Sequence, residues 1–186
     1  MSPHPRLSEQ LTIHSRTPAL AVCDPRGLAV RSIGYYRQQA GTPAVPRINA
    51  QWHDHAGRPV AQWDPRLFAQ FCAGNSETPN QRTTFSLSGA TLRQHNVDSG
   101  WKIMLHEPHG MPISTWDSRG IATHCHYDDV ARLVATVKCT ADGQLRTAQR
   151  VSYAAANAEQ ASRNLCGAIY RHDDDAGTVF TEALDI

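Results

Sequence analysis

No apolar run in this 186-residue chain reaches the roughly 20 residues that a membrane-spanning helix needs. Residues 1–17 are polar, with scattered Pro and His, and hold no continuous apolar stretch of the kind that marks a Sec-type leader. They read as a flexible lead-in to a segment over 18–186. Charge of one sign is also lacking: the formal net charge is +1, which argues against nucleic acid or an anionic membrane as partner. The five cysteines (Cys23, Cys72, Cys125, Cys139 and Cys166) are odd in number, widely spaced and without a C-x-x-C pair. That pattern supports neither a disulfide framework nor a zinc knuckle, and buried free thiols are expected. There is no Gly-rich phosphate loop, no G-x-S-x-G and no H-E-x-x-H. With 40% hydrophobic and 19% charged residues there is enough apolar material for a core, so wholesale disorder is not expected.

What the chain does have is a recurring quartet: a strand-like segment, an acidic residue or Ser, two variable residues, then Gly. The clearest instances begin at Asp24, Asp54, Asp117 and Asp174 and end at Gly27, Gly57, Gly120 and Gly177. Looser versions are Ser86 to Gly89, Glu107 to Gly110 and Asp128 to Ala131. Four D-x-x-G matches stand where random placement gives about one, which is a repeat signal. The first side chain can accept a backbone N–H two residues on, Pro (Pro25, Pro108) suits the second place, and Gly in the fourth supplies positive φ for the return strand. Several of the intervals between quartets fall near ten residues or its multiples, as one strand plus one turn requires. Asp142-Gly143 adds another hairpin signal.

The flanking segments carry a period of two. Leu133, Ala135, Val137 and Cys139 alternate with Val134, Thr136, Lys138 and Thr140, and Trp101, Ile103 and Leu105 with Lys102 and Met104. Thr83–Leu87, Ala90–Arg93, Ala168–His172 and Thr178–Thr181 are shorter candidates. Residues 71–82 read as loop, Ala154 to Leu165 as a three-turn helix stopped by Gly167, and Asp64-Pro65-Arg66 as the start of a helical turn. The expected fold is mainly β: an antiparallel hairpin meander with one short helix near 154–165.

These residues resemble the RHS/YD-repeat proteins, and more specifically the N-terminal region of the C component of bacterial insecticidal toxin complexes. The resemblance runs from Thr17 to Leu28 and through Tyr35-Tyr36-Arg37, His53 to Arg58 and Trp63 to Leu67. It continues through Leu87-Ser88-Gly89, Val97 to Trp101 and Asn164 to Gly177, and so covers roughly residues 17–181. In that family such repeats build part of a hollow β shell, closed by a larger B component around a toxic domain. The resemblance therefore implies a non-catalytic shell segment that assembles with a B-like component or another RHS chain. It also implies a protein made in the cytoplasm and exported within a toxin complex. The family's cleavage and toxin domains lie further along than Ile186, so the segment reads as a truncated or split piece.

Chemistry was sought elsewhere in the chain. In a strand, His124, His126 and Asp128 would share one face and could offer two imidazoles and a carboxylate to zinc, but Tyr127-Asp128 is also the repeat's Tyr-Asp signature. His172 beside Asp173, Asp174 and Asp175 could do acid–base work, yet a turn would leave those carboxylates exposed and ordinary. Cys125 and Cys139 are nucleophile candidates, with burial expected for Cys139. No metal, cofactor or catalytic role is assigned to any of these. The turn-flanking aromatics, Trp63 and Trp116 among them, leave a surface or glycan-binding module as the alternative to a shell segment.

Overall fold

A computed structural model describes residues 13–185. The expected lead-in lies outside the described residues as far as Thr12. From Ile13 onward the chain turns, and the carbonyls of Ile13 and Ser15 accept the Arg37 guanidinium at 3.1 and 3.0 Å.

Thirteen antiparallel strands form one sheet whose order is the chain order. They are β1 (Leu20–Cys23), β2 (Ala29–Tyr36), β3 (Val45–His53), β4 (Pro59–Trp63) and β5 (Gln81–Phe85). Then come β6 (Thr91–Asn96), β7 (Gly100–His106), β8 (Pro112–Asp117), β9 (Ala122–Tyr127) and β10 (Leu133–Cys139). β11 (Leu145–Tyr153), β12 (Ile169–Asp174) and β13 (Gly177–Phe180) complete it. The mainly β meander is therefore the fold. The helices bounded among the described residues are α1 (Pro65–Cys72) and α2 (Ala158–Ala161). The chain divides into two units, one of residues 1–84 with 94–99, the other of residues 85–93 with 100–186.

In the first unit the sequence Asp64-Pro65 starts α1. The Asp64 side chain accepts the Leu67 N–H at 2.7 Å, and Pro65 sits in the first turn, where its missing N–H costs nothing. Leu67, Phe68 and Phe71 then fall on one face, and Phe68 is buried against Ala50, Ala61 and Trp63. The two alanines leave room for the helix to approach the strands. Trp63 packs on Trp52 at 4.6 Å and on Phe71 at 5.6 Å between ring centroids. A short helical turn was expected to begin at Asp64-Pro65-Arg66 and run into Leu67-Phe68; the helix goes on to Cys72, into the start of the stretch expected as loop.

The second unit is covered less. Its buried apolar side chains are Val151, Ala154 and Leu165. The three-turn helix expected over 154–165 is one turn, α2. Ala154 is taken by the sheet, its N–H donating to the Ala168 carbonyl and its own carbonyl accepting from Gly167. Asn157 caps α2 by accepting the Gln160 N–H at 2.8 Å, and Asn164, at φ 57, ends the turns that follow. The segment thus folds into a short plug that buries Leu165.

Two expectations on burial are corrected. Cys23, Cys72 and Cys166 are exposed, and Cys125 and Cys139 are half-buried, so none is a buried thiol. Along β10 the alternation is not matched by burial, since Leu133 to Val137 are all half-buried. Full burial of a sheet face takes a second layer, and the only helix longer than one turn among the described residues is α1.

Candidate functional site: the hairpin turns

Every quartet except the one at Asp174 begins a five-residue turn of one design. At Asp24, Asp54, Ser86, Glu107, Asp117, Asp128 and Thr140 the first N–H donates to the fifth carbonyl at 2.8–3.0 Å. The fourth N–H donates back to the first carbonyl at 2.8–3.1 Å. This is a type I turn closed by a residue in the left-handed region, the usual longer hairpin connection. The fourth residue has φ of 77–92° in Gly27, Gly57, Gly89, Gly110, Gly120 and Gly143. Ala131 occupies the same place with φ 64°, in a conformation that costs a residue bearing Cβ roughly 1–2 kcal/mol.

The carboxylates are fully engaged. Oδ1 of Asp24, Asp54, Asp117 and Asp128 accepts the N–H groups two and four residues on, at 2.8–3.1 Å. Oδ2 accepts Nε of an arginine, Arg26, Arg58, Arg119 or Arg132, at 2.7–3.0 Å. The sequence reading missed these arginines, although each lies two or four residues after its Asp; at these four turns the unit is a quintet with an Arg rather than a quartet. For Asp54 and Asp128 the backbone N–H of Arg58 or Arg132, then the guanidinium, holds the carboxyl below its usual range. For Asp117 the Arg119 side chain is the leading cause, followed by the Ile121 N–H. At Asp24 partial desolvation pushes upward and is outweighed by the Leu28 N–H and Arg26.

Asp174 departs from this design. Its Oδ1 accepts from Ala176 and Gly177 at 2.8 and 3.2 Å, and Asp174 pairs directly with Gly177 across a two-residue turn. Gly177 accordingly has φ 140°, away from the other turn glycines.

Neighbouring turns also hold one another. Arg26 reaches the Asp54 carbonyl at 3.0 Å. Tyr127 donates its hydroxyl to the Pro112 carbonyl at 2.8 Å, and Tyr153 donates to Leu133 at 3.1 Å. The Arg132 guanidinium lies 4.2 Å from the Tyr153 ring centroid. A Cβ built on Gly120 would meet the Ala141 Cβ at 2.9 Å. In the Tyr127-Asp128 pair the tyrosine therefore ties its strand end to the strand before it, while the aspartate forms the next turn.

The other candidates are not brought together. His124 exchanges a hydrogen bond with buried Ser114 (Nδ1 to Oγ, 2.8 Å), His126 is exposed, and Asp128 is spent on its turn. No cluster of three metal-ligating side chains occurs among the described residues. Asp173 accepts from Arg171 and Thr178, Asp175 pairs with Arg146, and the buried Nε2 of His172 has no partner among the described residues. The half-buried Cys139 lies with its Sγ 3.7 Å from the Thr140 carbonyl. Trp63 is only 3% exposed, so it cannot serve as a sugar-stacking platform at the surface.

Among the described residues β1 and β13 are the outermost strands of the sheet. Both are exposed at every position and carry no charge and no proline, the usual devices that stop an edge from pairing. Val179 and Phe180 are 63% and 62% exposed. A repetitive antiparallel sheet with braced turns is a β-repeat architecture.

Comparison with known proteins narrows this class. No family model matches the chain. It is homologous to two toxin subunits of Yersinia entomophaga. YenC1 is 29% identical over 170 residues, spanning 89% of this chain and 17% of that protein. YenC2 is 25% identical over 193 residues, spanning 95% and 19%. The chain thus spans less than a fifth of the length of these relatives. The crystal structure of TcdB2-TccC3 superposes with a TM-score of 0.89 at 27% identity, covering 95% of this chain and 9% of that one. The Photorhabdus luminescens Tc holotoxin pore gives 0.87 at 28% identity, covering 94% and 8%. The chain is therefore similar in sequence and in fold to components of Tc toxin complexes. No helix among the described residues is long and apolar enough to cross a membrane.

Proposed function

We propose that this chain is a non-catalytic wall segment of a toxin-complex shell, equivalent to the N-terminal part of a C component, which assembles with a larger B-like protein. The observation that carries the reading is the match of this sheet to TcdB2-TccC3 over 95% of this chain, together with outermost described strands that carry neither charge nor proline. A strand edge with free N–H and C=O groups and exposed apolar side chains gains hydrogen bonds and buried area only when another strand joins it. The braced turns supply rigidity: their carboxylates are occupied by backbone and arginine, which suits wall material and leaves them no role in proton transfer. Export within the complex follows from the same reading.

Co-expression with a TcdB2-type protein tests the proposal. The chain should co-purify with it at one-to-one stoichiometry, and a proline at Ala21 or Phe180, whose N–H groups face away from the neighbouring strand, should weaken capture by removing an edge N–H. Failure to co-purify, with the chain monodisperse and folded alone, would reject the proposal.

A further inference from the structure

The first unit contains a cleft of about 410 Å³, at the small end of the roughly 300–1,000 Å³ that ligand pockets occupy. Its lining includes Arg31, Ser32, Asn49, Gln51, Gln62 and Trp63. The polar members are placed by strand register. Ser32 lies opposite Asn49, Gln51 opposite Gln62, and Gln62 opposite Gln81, so the three glutamines form one row across β3, β4 and β5 on one face of the sheet. Hydrophobic packing does not account for three adjacent carboxamides, since each loses side-chain entropy in a fixed row and covers little apolar surface.

Their hydrogen-bonding capacity is largely unspent. The half-buried Gln62 carboxamide has no partner among the described residues, leaving two donors and an acceptor. Gln51 uses its Nε2 on the Ala29 carbonyl and keeps its Oε1. Asn49 gives one donor to Ser32 at 3.4 Å. Arg31 faces the Phe68 ring at 5.4 Å and has no carboxylate partner. By contrast Asp64 is engaged: its side chain accepts from Leu67 and from Asn80 Nδ2.

From this arrangement we infer that the cleft is a binding site for a small neutral saccharide of one or two rings. Carboxamides offer a donor and an acceptor side by side, which matches the paired donors and acceptors of adjacent ring hydroxyls. Alanines 21 and 29 give an apolar floor against which C–H faces can rest. The Arg31 guanidinium lies on the other face of the sheet, over Phe68, so an ionic ligand would meet only neutral carboxamides, with Asp64 already committed, a poor match in charge. Only Ala21 of this site lies on an outermost strand, and Ser32, Asn49, Gln51 and Gln62 sit on β2, β3 and β4, so its test does not use the B-like partner.

The experiment is an NMR titration of the full chain with D-glucose, N-acetyl-D-glucosamine and maltose, with alanylalanine as the peptide probe. One of the sugars should shift the side-chain amide signals of Gln51 and Gln62 with saturation below about 50 mM. Gln62→Ala, which removes no internal hydrogen bond and should fold normally, should weaken that binding about tenfold. Gln51→Ala, checked for native circular dichroism, should weaken it as well. No shift with any sugar, sugar shifts indifferent to both substitutions, or a response to the dipeptide alone would each overturn the inference.

Discussion

Trp63 and Phe68 are buried in the first unit beneath a two-turn helix, with Ala50 and Ala61 under them. The second unit has Val151, Ala154 and Leu165, and the 154–168 excursion supplies a single helical turn. Both units use the same five-residue turns with the same Asp–Arg bracing. The difference teaches that the turns alone specify strand order, while burial depends on what each excursion places over the strands. Where the excursion opens with a good N-cap and an apolar face, a small core forms. Where it does not, stability leans on turn chemistry and on one plugged leucine.

That comparison can be broken most sharply in the first unit. Trp63→Ala should cost about 3–5 kcal/mol and unfold the α1 region, read as a lost near-UV signal and a lower urea midpoint. In the second unit Leu165→Ala should cost about 2–4 kcal/mol, because the plug has a single buried anchor. A loss below about 1 kcal/mol there would show that the plug is not part of the cooperative core.

Turn chemistry gives the next effect. Ala131→Gly should stabilise the protein by about 1 kcal/mol by relieving a left-handed alanine. Gly120→Ala should do the reverse and by more, since it adds both strain and the approach to Ala141. Equal responses at the two sites in thermal unfolding would refute the shared geometry. The smallest effect concerns pH. Asp54 and Asp128 have carboxyls held below their usual range by Arg58 and Arg132. A depressed carboxyl contributes stability that is complete above its unfolded value of about 3.9 and is lost as pH falls through its lower folded value. Asp54→Asn should keep the Asx turn, lose the charge, and flatten the acid limb of the stability–pH curve below about pH 4. An unchanged acid limb would show that the Arg pairing contributes nothing measurable.

Much of this was legible in particular residues. Asp24 to Gly27, Asp54 to Gly57 and Asp117 to Gly120 announce their turns because the aspartate–glycine spacing is a local steric and hydrogen-bonding requirement. Thr140 to Gly143 was visible only as a short hairpin signal, and its longer turn emerged when Thr140 took the role of the acidic residue. The bracing arginines were hidden because they occur at two different offsets. The Ala154–Leu165 helix was misjudged because helix propensity is weak against the sheet's demand for the Ala154 backbone. The carboxamide row could not be read at all, since Gln51, Gln62 and Gln81 become neighbours only through strand register.

By itself, then, the amino-acid order determined the turns, the antiparallel meander and the resemblance to toxin-complex components, because each depends on contacts between residues a few positions apart. Tertiary structure alone decided which aromatics are buried, which of the described strands lie outermost and which polar side chains share a cleft. Those depend on cross-strand pairing between distant residues, which local chemistry does not encode.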